Sequence, residues 1–227
     1  MDSKDLGNFL VQIISTNGII RSESLENSLR KNALSFSISP GVVPADSDFR
    51  NSKLHEPFIS SLVCQRSLSK SEVGCVLAHR SAAQNLIDSV FPFGIIFEDD
   101  AELIRSIEAN YLAEILNSEV PRIIQFGWLP GFAVALAEEY QTLPKVKRLV
   151  TPATCAFAYA LNRAAAVLLA NQSYKVMDVP DWPIHLFNKV EESDSGVEFH
   201  PNTISSCRVL DTITFGEIFK KLREMTQ

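Results

Sequence analysis

The sequence predicts a single α/β domain with a mainly parallel central sheet flanked by helices. Three observations carry that expectation. Short β-rich runs alternate with longer helical ones along the 227 residues, the pattern that builds strand–helix–strand units. One run, Gly94-Ile95-Ile96-Phe97, is wholly apolar, as a strand covered on both faces would be. The composition, 46% hydrophobic and 21% charged, is the ordinary globular balance. A chain this long buries roughly 70% of its unfolded surface and needs no disulfide or metal staple to fold.

Each element has its own local reason. Phe9 to Ile14 reads as a buried strand, followed by a polar turn containing Asn17-Gly18. Ser22 to Lys31 carries Leu25 and Leu29 at helical spacing, and Ala33 to Ile38 reads as a second strand closed by Pro40-Gly41. Val42 to Pro57, rich in Pro, Asp, Ser and Asn, reads as a long loop, and such loops are often functional. Ser69-Lys70-Ser71-Glu72 is a capping box, behind which Val73, Val76, Leu77, Ala83, Leu86, Ile87 and Val90 form one apolar stripe before Pro92 ends the helix. Gly74 inside that helix costs about 1 kcal/mol relative to Ala, so a backbone or ligand is expected close by. A helix at Ile104 to Leu116, a strand at Arg122 to Phe126 and a strand at Cys155 to Leu161 follow. Asn162 then caps a helix from Arg163 to Ala170, and Asp181-Trp182-Pro183 opens a last short helix.

Charge and cysteine usage narrow the function. Lys plus Arg is 21 and Asp plus Glu is 27, a net charge of −6, which argues against nucleic acid as a partner. A small anionic substrate needs only one or two local cations. Cys64, Cys75, Cys155 and Cys207 are scattered without a Cys-x-x-Cys pair, as in a reduced cytosolic protein. The start, Met1-Asp2-Ser3-Lys4-Asp5, lacks signal-peptide character, and the longest apolar stretch, Cys155 to Ala170, is broken by Asn162 and Arg163. A cytoplasmic location is expected.

Glu98-Asp99-Asp100 is the most informative motif. Three carboxylates at one strand end repel one another unless a cation or hydrogen bonds offset the charge. In an extended chain Glu98 and Asp100 point the same way and Asp99 the other. Such an acid-x-acid pair suits a hard divalent ion such as Mn²⁺ or Mg²⁺ against a diphosphate. The plainer alternative has Asp100 capping the next helix and the others facing water. Glu72, Cys75 and His79 fall on one helix face, Glu72 and His79 within about 20° of each other because seven residues nearly complete two turns; His79 alone is more often a hydrogen-bonded structural histidine than a ligand. Arg66 and Arg80 can meet phosphates, with solvated surface as the default. Asp181 is either a general base or an N-cap, and His200 either completes a metal site or packs.

The run Leu68-Ser69-Lys70-Ser71-Glu72-Val73-Gly74-Cys75-Val76-Leu77-Ala78-His79, followed by Ile95-Ile96-Phe97-Glu98-Asp99-Asp100-Ala101, resembles glycosyltransferase family 25, the lipooligosaccharide β-galactosyltransferase-like family. Thr154 to Ala166 and Asp181-Trp182-Pro183 resemble its later segments, so the likeness runs roughly from Phe9 to Ser205. The resemblance implies a GT-A-like (Rossmann-like) fold filling residues 1–227 as one domain, with 9–100 as the nucleotide-sugar half and 101–227 as the acceptor side. It also implies inverting transfer of a hexose, galactose first among them, from a UDP-sugar to a saccharide or lipid-linked saccharide acceptor of a bacterial surface glycan. Glu98, Asp99, Arg21, His79 and Thr154 would then bind the nucleotide sugar, Asp100 and Glu98 the Mn²⁺ or Mg²⁺, and Asp181 would be the base. The chain departs from the family pattern after its first strand, where only Arg21 matches, and at Ala78 and Ala153, where Ser and Gly are usual. A lipid-linked acceptor is compatible with peripheral association at the inner membrane, with Phe219-Lys220-Lys221-Leu222-Arg223 as a weak contact. The competing readings are a sugar nucleotidyltransferase, for which Ser15-Thr16-Asn17-Gly18 is a poor phosphate loop, and a non-catalytic nucleotide-sugar-binding protein.

Overall fold

In chain order, β1 (Phe9–Ser15) leads through α1 (Glu23–Lys31) to β2 (Phe36–Pro40). Three helices, α2 (Asp46–Arg50), α3 (Pro57–Cys64) and α4 (Lys70–Asp88), then carry the chain to β3 (Phe93–Glu98). Next come α5 (Ala109–Leu116), β4 (Ile123–Gln125), β5 (Gly131–Phe132), β6 (Leu136–Glu139), β7 (Lys147–Leu149), β8 (Ala158–Asn162), α6 (Arg163–Leu169), β9 (Val197–Phe199) and β10 (Cys207–Arg208). This computed structural model describes residues 7–31, 34–101, 107, 109–126, 131–132, 136–139, 147–149, 156–171, 175–177, 197–199 and 207–208. The helix expected at Asp181-Trp182-Pro183 and the Phe219–Arg223 segment lie outside them.

The main sheet has the order β2-β1-β3-β8-β4-β9-β7-β6, and β5 pairs with β10 apart from it. Only its first three strands form a continuous parallel block. β8 runs antiparallel to both β3 and β4, and β7 antiparallel to both β9 and β6, while β4 and β9 are parallel. The sheet is therefore mixed rather than mainly parallel. Alternating strand and helix segments cannot reveal this, because β8 enters the sheet between β3 and β4 from far along the chain.

Side-chain alternation divides the core into two layers. Val11, Ile13, Ile95, Phe97, Ala158 and Ala160 meet Leu25 and Leu29 of α1 and Leu112, Ile115 and Leu116 of α5. On the other face Ile14, Ile96, Tyr159 and Leu161 meet Ala78, Ala82, Ala83 and Leu86 of α4 and Ala165, Ala166 and Leu169 of α6. Each fully buried Leu, Ile or Phe contributes about 1.5–3 kcal/mol relative to an exposed one. Val90 leaves the expected stripe, because α4 ends at Asp88, and it is exposed.

Helix ends are tied down with polar groups. The capping box forms: Ser69 Oγ accepts from the Glu72 N–H, and the Glu72 carboxylate accepts from the Ser69 N–H at 2.7 Å. The Arg66 guanidinium, opposed by partial burial and helped by Ser69, holds the Glu72 carboxyl down to about 2. At the other end of α4, Arg163 donates to the carbonyls of Ser89 (2.8 Å) and Phe91 (3.1 Å), and also to those of Leu86 and Ile87. A cation there is favoured by the exposed carbonyls and the helix dipole. Asn162 caps α6 through Ala165 N–H at 2.9 Å, as the sequence predicts, and its amide also donates to the carbonyls of Ser118 and Val120.

The segment between β2 and α4 is more ordered than a loop reading allows, since α2 and α3 both lie in or beside it. It also explains Gly74. A Cβ there would overlap the Val42 carbonyl oxygen and crowd Pro44 Cδ at 3.0 Å, so the close neighbour is backbone. Gly74→Ala should therefore destabilise the domain by about 1–3 kcal/mol, the usual cost of overpacking, although Ala is the better helix former by about 1 kcal/mol. A lowered melting temperature is the expected result; a raised one would show that the Val42–Pro44 segment yields freely.

Candidate active site at the ends of β1 and β3

The order β2-β1-β3 places a topological switch point between β1 and β3. α1, which leaves β1, packs on one face of the sheet, and α4, which leads to β3, packs on the other. The crevice outside the carboxyl ends of such strands is where open α/β sheets bind ligands. Here the two loops at its mouth are joined: the Ser22 N–H donates to the Asp99 carbonyl at 2.8 Å, while Ser22 Oγ accepts from Leu25 N–H and starts α1. The turn after β1 closes on itself. Asn17 Oδ1 accepts from Ile19 N–H, Ser15 Oγ donates to the Ile19 carbonyl, and Gly18 takes φ +73°.

The acidic triplet is divided at the strand end. Glu98 keeps the parity of Ile96 and faces α4. Alternation stops there, because Asp99 and Asp100 form a turn closed by Ala101 N–H on the Glu98 carbonyl at 3.1 Å. The expected geometry, Glu98 and Asp100 on one side with Asp99 opposite, is thereby corrected: Asp99 and Asp100 share a partner that Glu98 does not hydrogen-bond. That partner is Arg21. Its Nε donates to Asp99 Oδ1 at 2.6 Å and its Nη2 lies 3.1 Å from Asp100 Oδ2. The Asp99 side chain is 6% exposed, whereas Asp100 is 51% and Arg21 59% exposed. Asp99 thus anchors the arginine, and Asp100 and the guanidinium both present themselves to solvent. One cation against two carboxylates leaves a net negative charge at the mouth, which a further cation would offset.

Glu98 belongs to a second cluster. Its Oε1 lies 3.2 Å from His79 Nε2 and accepts from Cys75 Sγ at 3.4 Å, and His79 Nδ1 lies 2.8 Å from the Tyr159 hydroxyl. Burial opposes ionisation of Glu98, yet hydrogen bonds from His79 and Cys75 and the charge of Arg21 hold its pKa below the ordinary value. Burial first, then the charge of Glu98, pushes the Tyr159 phenol well above its usual pKa, so the hydroxyl keeps its proton. His79 is 3% exposed at its side chain and turned into the protein, against Tyr159 and Glu98. It reaches the crevice only through Glu98, which is 28% exposed.

Of the residues the sequence singles out, Arg21, Glu98, Asp99 and Asp100 meet at this strand end, with His79 and Cys75 behind it. Glu72 does not join them, being tied to Ser69 and Arg66. Arg80 is buried rather than on the solvated surface. Thr154, Asp178, Asp181 and His200 lie outside the described residues. Two contributors escape sequence reasoning. Tyr159 reads only as one more apolar strand position, and Ser22 only as a helix start; the pairing of β8 with β3 and the Ser22–Asp99 bond are non-local.

Fold and crevice together define an α/β protein with an acidic, arginine-bearing crevice at a switch point. The model of glycosyltransferase family 25 (LPS biosynthesis protein) matches residues 10–183, and the chain belongs to that family. No curated protein matches the chain. As a glycosyltransferase it would bind a sugar donor and a saccharide acceptor. No helix among the described residues is long and apolar enough to cross a membrane.

Tyr159→Phe tests the inner cluster. It removes only the hydroxyl and leaves buried His79 Nδ1 without that partner, so the melting temperature should fall by the equivalent of about 1–3 kcal/mol. An unchanged melting temperature would show that the Tyr159–His79 bond contributes nothing.

Proposed function

We propose that this chain is a divalent-metal-dependent hexosyltransferase of GT-A type. It transfers a hexose, galactose first among the sugars, from a UDP-sugar to a saccharide or lipid-linked saccharide acceptor of a bacterial surface glycan, with inversion. The observation that carries the reading is the Arg21-bridged acidic strand end at the β1/β3 switch point, in a chain of a glycosyltransferase family. A cytoplasmic enzyme working at the inner membrane surface fits a lipid-linked acceptor.

The residues present suit Mn²⁺ or Mg²⁺. Both are hard ions that take carboxylate oxygens, and Asp100 offers such oxygens outward while Glu98 stands partly exposed at the same strand end. Asp100 and Glu98 would hold the ion, which, when bound, supplies positive charge to the departing diphosphate. Arg21, anchored by Asp99, adds a permanent cation at the same mouth. His79 helps to keep Glu98 ionised and in place, and Thr154, in the segment similar to the family's later strand, would contact the donor. Asp181, at the Asp-Trp-Pro match, is the proposed base that takes the proton of the acceptor hydroxyl while that oxygen bonds to the anomeric carbon and UDP leaves.

Calorimetry with UDP checks the metal. Binding should be far tighter in Mn²⁺ than in EDTA, and Asp100→Asn should abolish that difference without lowering the melting temperature. Equal affinity of the parent protein in both buffers would overturn the metal reading.

Asp181→Asn checks the base. Loss of a positioned base lowers kcat rather than donor affinity, so transfer should fall roughly 10²–10⁴-fold. UDP affinity and melting temperature should stay near parent, because Asn matches Asp in size and shape. Near-parent turnover would move the role to another residue.

A further inference from the structure

We propose that Cys75, His79 and Glu98 form a binding site for a thiophilic divalent ion of the Zn²⁺ type, which differs in its donor set from the hard-ion position at Asp100 and shares the Glu98 carboxylate with it. Cys75 and His79 are four residues apart on α4, one turn, so their side chains lie on one face, and Glu98 at the end of β3 stands opposite them. The three donor atoms, Sγ, Nε2 and Oε1, all lie within 4.8 Å of one another. A tetrahedral Zn²⁺ with bonds of about 2.0–2.3 Å sets its ligand atoms roughly 3.3–3.8 Å apart, since an edge is about 1.6 times a bond. The observed Nε2–Oε1 and Sγ–Oε1 separations, 3.2 and 3.4 Å, already approach that frame.

The donor set decides which ion. Thiolate and imidazole select Zn²⁺ and its neighbours, whereas Mn²⁺ and Mg²⁺ prefer oxygen alone. Cys75 carries a reduced thiol, and on binding its proton passes to solvent. The thiolate and the Glu98 carboxylate then balance the ion's two charges in a partly buried position, with a fourth position left for water. His79 has the partner that a metal-bound histidine usually has: in the metal-binding tautomer Nδ1–H donates to the Tyr159 oxygen, 2.8 Å away, which leaves the Nε2 lone pair for the ion beside Glu98 and Cys75. In the alternative the same atoms are held only by hydrogen bonds, with Nε2–H and the thiol both donating to Oε1. The metal site stands on these three residues and does not rest on the glycosyl-transfer reading.

The test uses the full chain stripped with chelator and then titrated with Co²⁺ as a spectroscopic stand-in for Zn²⁺. One equivalent should produce a thiolate-to-cobalt charge-transfer band with intense tetrahedral visible bands, and Zn²⁺ should bleach both. Cys75→Ser should abolish the charge-transfer band, and Tyr159→Phe should weaken Co²⁺ binding 10–100-fold, the usual worth of an outer partner. Should either variant fail to fold, alkylation of Cys75 in the parent protein, followed by mass spectrometry, still separates the two alternatives, because Zn²⁺ should protect that thiol and Mn²⁺ should not. A parent spectrum without charge transfer, an unchanged spectrum in Cys75→Ser, or equal alkylation with and without Zn²⁺ would each overturn the site.

Discussion

Three successive carboxylates at the end of an apolar strand repel one another strongly, and the rest of the site follows from how β3 relieves that repulsion. Glu98 turns toward α4 and is met by His79 and Cys75, while Asp99 and Asp100 break out of the strand and share the guanidinium of Arg21. The separation needs the strand to stop at Glu98; one more extended residue would put Asp99 into the layer occupied by Phe97 and Leu25. Removing one partner from such an arrangement leaves a charge uncompensated and partly buried, which costs more than the pair itself contributes. The inner and outer halves are therefore coupled through the peptide links of three residues.

Topology supplies the partners. Because β1 lies between β2 and β3, the loop after β1 and the turn after β3 open at the same edge, and Ser22 N–H on the Asp99 carbonyl locks them together. Arg21 sits one residue before that bond, which is why a side chain more than half exposed still finds Asp99 consistently placed. Helix α4 contributes from below. Its capping box fixes where the helix begins, Gly74 lets the Val42 carbonyl approach, and the following turn carries Cys75 and His79 under Glu98.

The parts legible in the sequence are those governed by local chemistry. The capped helix, the buried strand before the triplet and the Asn162 cap depend on neighbours a few residues apart; Gly74 signals a close approach by its residue type alone, while the Val42 carbonyl that makes the approach is distant in sequence. Strand direction beyond β3 is not legible, since nothing local in Ala158–Asn162 shows that it inserts antiparallel between β3 and β4. The same non-locality hides Tyr159, eighty positions from the histidine it meets. The acidic triplet is recognisable as a cluster, but its geometry is not, because the alternation rule fails once the chain leaves the strand. His79 is visible as a functional candidate; its burial against Tyr159 and Glu98 is a property of packing alone.

In the proposed function the β1/β3 crevice, with Asp100 and Arg21 at its mouth, receives the diphosphate and its ion. The most direct measurement is anomalous diffraction at the manganese edge from crystals of the chain grown with UDP and Mn²⁺. The predicted result is one strong peak against Asp100, with the diphosphate in the crevice and Arg21 still held by Asp99. A diphosphate bound away from the ends of β1 and β3, or a manganese peak that does not touch Asp100, would contradict it.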